Sequence, residues 1–103
     1  MEYAFIVLAG TAQHLQRYFE TDNLPHAPTI AQLEQTLAPA VLHLLRHDLN
    51  RLLNILYRID VEERQVKQAM LAPTEEDVAL QIARITIKRE LQKAQTRFIY
   101  GAN

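Results

Sequence analysis

Residues 42–59 read LHLLRHDLNRLLNILYRI, and this stretch decides the fold class. Leu42, Leu45, Leu49, Leu52, Leu56 and Ile59 recur at spacings 3-4-3-4-3, the period of one face of an α-helix. Val41, Leu44, Leu53 and Ile55 widen that face beyond the narrow seam of a two-stranded coiled coil. A wide apolar face suits a helix that touches more than one neighbour inside a bundle. The pattern predicts one continuous helix over residues 42–59, with Leu52 central to the core.

The flanking segments carry the same period. Towards the N-terminus, Phe5, Leu8, Ala12, Leu15 and Phe19 follow steps of three and four. The run Tyr3–Leu8 also suits a short strand, but no second strand is visible to pair with it, so helix is the better reading. TDNLPHAPT, Thr21–Thr29, has the turn residues and prolines of a connector. Thr29 is placed to cap a helix beginning at Ile30, whose apolar stripe is Ile30, Leu33 and Leu37. Pro39 follows, and a proline inside a helix loses an i→i−4 hydrogen bond. We therefore expect a break near Ala38, with Thr36 capping what comes next.

Beyond the leucine stretch, Asp60 stands three residues before Glu63, the spacing of a capping box. A short helix is expected from Val61 to about Leu71, burying Val66, Met70 and Leu71. Ala72-Pro73-Thr74 ends it, and Thr74 with Glu75, Glu76 and Asp77 marks the start of a last helix. Leu80, Ala83, Ile87, Leu91, Ala94 and Phe98 form its seam, and Gly101 is a natural stop. Together these segments predict an all-α fold, a four- or five-helix bundle, with residues 1–103 as a single domain.

Composition narrows the function classes. The chain has 103 residues, 49% of them hydrophobic and 22% charged, with 11 Lys and Arg against 12 Asp and Glu and a formal net charge of −1. A near-neutral chain gives no global reason to expect nucleic acid or an anionic membrane as partner. The absence of cysteine removes disulfides, thiolate metal sites and thiol nucleophiles, and agrees with a cytoplasmic location. No stretch reaches the ~18 apolar residues of a membrane span. The apolar run Tyr3–Gly10 lacks a basic flank and reads as a buried first element rather than a secretory leader. Two glycines cannot build a nucleotide cradle, and the motifs GxxxxGK[ST], GxGxxG and GxSxG are missing.

Three polar groups stand out. His43 and His47 are four residues apart, so both imidazoles lie on one helical face and can offer two nitrogens to a divalent metal. The motif is HLLRH, without the glutamate of HExxH that activates water, and further ligands have to come from another helix or subunit. Asn50, Asn54, Tyr57 and Arg58 continue a polar line suited to a polar ligand or an interface. Arg89, Lys93 and Arg97, with Arg84 and Lys88 behind them, make a basic edge suited to an acidic protein partner or, more weakly, to nucleic acid. Each group has a structural counterpart: the watered side of an amphipathic helix, a helix corner at Arg58–Asp60, and a solvated basic face. The resulting expectation is a small, non-catalytic interaction module that associates as a homo-oligomer, most simply a homodimer, or with another protein. A metal- or ligand-binding protein using His43 and His47 is the alternative.

Overall fold

A computed structural model describes the chain over residues 2–20 and 29–101, with the side chains of 2–6 and 98 outside that description. Five helices follow in order: α1 (Glu2–Phe19), α2 (Ile30–His47), α3 (Leu49–Ile59), α4 (Glu63–Ala69) and α5 (Glu75–Gly101). The N-terminal segment is helical, as expected, while the connector expected at residues 21–28 lies outside the described residues. The 27 residues of α5 make a rod of about 40 Å, which matches the longest dimension of the molecule, 41 Å. α5 is therefore the spine on which the others pack. Arg46 reaches Glu75 and Glu76 at 3.3 and 3.1 Å, and Glu34 reaches Arg84 at 3.3 Å, so α2 runs antiparallel to α5. α3 then runs back alongside α5 until Asp60 meets Arg89 at 3.1 Å, and α4 returns the chain to the start of α5.

Two boundaries correct the sequence reading. α2 passes through Pro39 without ending, and no cap forms at Thr36. The proline sits on the exposed side, as does Gln35, the residue whose carbonyl loses its partner, while Leu37 and Val41 on either side are fully buried. Packing of that face outweighs one lost hydrogen bond. The break falls instead at Asp48, inside the leucine seam. Its N–H donates to the Leu44 carbonyl at 2.8 Å and closes α2. Its Oδ1 accepts the Arg51 N–H at 3.2 Å and opens α3. The seam is thus two helices, and Leu49, at the start of the second, is 44% exposed.

The second correction concerns Asp60. It does not cap α4; it ends α3 in the left-handed region at φ 67° and ψ 45°. The N–H groups of Asp60 and Val61 donate to the carbonyls of Tyr57 and Leu56, each at 3.0 Å, which is the Schellman pattern. α4 is accordingly shorter than expected, Glu63–Ala69, with no side-chain cap at Glu62, and Leu71 is exposed. The expected caps at Thr29 and Thr74 are present. Thr29 and Gln32 exchange hydrogen bonds of 3.1 and 2.9 Å, and Thr74 Oγ1 accepts the Asp77 N–H at 3.1 Å.

One contiguous apolar core draws on all five helices, including Leu15 and Phe19 of α1, Leu33, Leu37 and Val41 of α2, Leu52 and Ile59 of α3, Ala69 of α4, and Ile82 and Ile87 of α5. Among the described residues no helix is long and apolar enough to cross a membrane.

Candidate functional site

α3 carries the candidate site because it is short, well anchored and flanked on both sides. Leu52, Ile55, Leu56 and Ile59 face the core. Leu49, Leu53 and Tyr57, spaced by four, form a stripe on one flank and are 44%, 41% and 86% exposed. Asn50, Asn54 and Arg58 keep the same spacing one residue on, about 100° around the helix, and form a second, polar stripe.

The polar stripe forms one wall of an open cavity of about 490 Å³ against the C-terminal turn of α1. Arg17 and Tyr18 come from α1, Glu20 from the turn that follows it, and Asp48, Asn50, Arg51, Asn54, Ile55 and Arg58 from α3 and its cap. Of the polar residues singled out from sequence, Asn50, Asn54 and Arg58 meet here, whereas Tyr57 lies on the other stripe. Arg17 and Tyr18 carried no sequence signal for this role, because only tertiary packing brings α1 beside α3. Within the cavity Arg51 forms an ion pair with Glu20. The hydrogen bond and charge of Arg51 hold the Glu20 carboxyl below the usual glutamate range. Arg17 and Arg58 pair with no carboxylate among the described residues.

His43 and His47 share one exposed face of α2 with ring centroids 4.7 Å apart and planes tilted by 42°. Among the described residues no group of three or more His, Cys, Asp or Glu side chains is placed to hold a metal ion.

Two residues of the basic edge of α5, Arg89 and Lys93, turn to the end of α3, while Arg84, Lys88 and Arg97 are exposed. Arg89 Nε donates to the Asp60 carbonyl at 3.0 Å and Nη2 to Asp60 Oδ2 at 3.1 Å, while Lys93 Nζ donates to the Ile59 carbonyl at 3.1 Å. Both side chains close the negative end of α3. Arg97 lies 3.8 Å from Glu90, which is fully buried in the seam of α5 and also approached by Lys93 at 3.6 Å and by His14 at 3.9 Å. Among the described residues neither Glu90 oxygen has a hydrogen-bond partner, nor does the buried Thr11 hydroxyl. Burial first, and then the Arg97 charge, push the His14 pKa below its ordinary value, with Glu90 pulling the other way. Compared with protein-family models, curated proteins and solved structures, the chain matches none.

Proposed function

We propose that this chain is a small, non-catalytic helical module that associates with a second copy of itself through the outer stripe of α3. The observation that carries this reading is the exposure of three large apolar side chains, Leu49, Leu53 and Tyr57, in one continuous row. The geometry of that row favours a second copy as its occupant. Two copies set antiparallel across a two-fold axis oppose the dipoles of their α3 helices and bring Leu53 near the axis, so that each exposed row covers the other. Three side chains along about 12 Å of helix supply less than the ~800 Å² per partner of a standard stable interface. The dimer is therefore weak and concentration-dependent. Sedimentation equilibrium over a broad concentration range tests this, with Leu53→Glu and Tyr57→Glu as variants whose helicity is checked by circular dichroism. A rise in mass with concentration that both variants abolish supports the reading. An 11.9 kDa species at every concentration refutes it.

A second reading rests on the close His43–His47 pair, whose two imidazoles can take a divalent cation if a second copy or water completes the coordination. Calorimetric titration with Zn²⁺ separates the two. Saturable binding lost in His47→Ala favours the metal site, and no saturable heat removes it.

A further inference from the structure

We infer that the cavity between α1 and α3 binds an oxyanion, the phosphoryl or carboxylate group of a small molecule, between Arg17 and Arg58. The inference starts from where cations lack partners. Of the 11 Lys and Arg residues, Arg46, Arg51, Arg64, Lys67, Arg84, Arg89, Lys93 and Arg97 each lie against a carboxylate. Among the described residues only Arg17, Arg58 and Lys88 do not, and two of these three line the same cavity.

The remaining lining fits the same chemistry. Asn50 and Asn54 stand in register with Arg58 on one stripe of α3 and make no hydrogen bond within the described residues, so their amide donors are available to a ligand. The two carboxylates at the rim are already engaged: Glu20 by Arg51, and Asp48 as the cap that accepts the Arg51 N–H. A guanidinium presents a planar fork of donors that matches carboxylate and phosphate oxygens. The volume, about 490 Å³, falls in the usual range for small-molecule pockets, ~300–1,000 Å³, and exceeds what a bare oxyanion fills. The body of the ligand would lie against Tyr18 and Ile55, the apolar surfaces of the cavity.

The test is a titration of the full chain at low ionic strength with inorganic phosphate in one arm and succinate in the other, followed by amide chemical shifts. The inference expects saturable shifts centred on Arg17, Asn50, Asn54 and Arg58, with tighter binding in one arm identifying the anion. Arg17→Gln and Arg58→Gln should each weaken binding by about tenfold or more, whereas Lys88→Gln, which removes an unpaired cation elsewhere, should leave it unchanged. Retained helicity of each variant separates loss of binding from loss of fold. Shifts that fail to saturate in either arm, or that fall equally in Lys88→Gln, overturn the inference. So does binding of a DNA or RNA oligonucleotide without binding of either small anion.

Discussion

Leu52 and Leu53 are adjacent and chemically identical, yet Leu52 is 0% exposed and Leu53 is 41% exposed. Truncating each to alanine therefore reads the rotation of α3 directly. At Leu52 the change removes three buried carbons at about 0.8 kcal/mol each. It also leaves a cavity in a core contributed by several helices, which raises the expected loss to about 3–4 kcal/mol. At Leu53 the side chain keeps much of its contact with water, no closed cavity forms, and alanine is the better helix former, so the expected loss is about 1 kcal/mol or less. A domain of this length holds about 5–15 kcal/mol in total, so Leu52→Ala should remain folded but lower the urea midpoint by roughly 1–4 M. Leu53→Ala should shift it only slightly. Dilute protein keeps self-association out of both measurements. Equal losses, or a larger loss at Leu53, would mean that α3 is rotated by one residue and that the Asp48 boundary is misplaced.

Four further perturbations test the fold at single residues. Asp48→Ala should cost about 1 kcal/mol in thermal unfolding because the Arg51 N–H loses its acceptor, and Asp48→Asn should recover most of it; no recovery would deny the cap. Gly10→Ala should stabilise by about 0.5–1 kcal/mol, since Gly10 is inside α1 and an added Cβ meets nothing within 4 Å; a loss would contradict that open space. Glu90→Leu should be neutral or stabilising by about 1–3 kcal/mol, because a buried carboxylate without hydrogen bonds among the described residues is poorly compensated, and a clear destabilisation would show that its two cationic neighbours, Lys93 and Arg97, more than offset its burial. His14 has a folded pKa below its unfolded value, so the folded state takes up its proton later. The stability His14 contributes is present above about pH 6.5 and is lost as pH falls towards the folded value. His14→Gln should flatten the fall in melting temperature between pH 7 and 5, and an unchanged slope would refute the assignment.

Helix identity was legible in the chain because apolar spacing reports a period, but boundaries depend on which local signal tertiary packing allows to act. Pro39 is the stronger helix breaker in isolation, yet it lies on the exposed side of a helix whose opposite face is buried against α5. Asp48 is the weaker signal, but it offers N-cap chemistry, and Arg46 and His47 stand before it where a helix end favours positive charge. The heptad ran through Asp48 only because Leu49 happened to keep the spacing. In α5 an apolar reading chose Leu91, which is half-buried, over Glu90, which is fully buried. A polar residue at a seam position leaves no trace in hydrophobic periodicity. The candidate cavity was half legible for a similar reason: Asn50, Asn54 and Arg58 share a helix and a spacing, whereas nothing in the chain couples Arg17 to Arg58 across forty residues.

The inward contacts of the basic edge change how any partner of α5 has to be tested. Arg89 and Lys93 hold the last carbonyls of α3, so removing either charge loosens the end of the helix that carries both the exposed stripe and the polar cavity. Loss of partner binding in Arg89→Gln or Lys93→Gln is then ambiguous between a missing contact and a displaced α3. Lys88 pairs with no carboxylate among the described residues, whereas Arg97 approaches buried Glu90. An acidic partner that reads the outer face of α5 has to be weakened by Lys88→Gln with stability unchanged, whereas Arg97→Gln also removes a cation from beside buried Glu90. A partner that responds only to Arg89 and Lys93 is reading α3, whose position those two side chains fix.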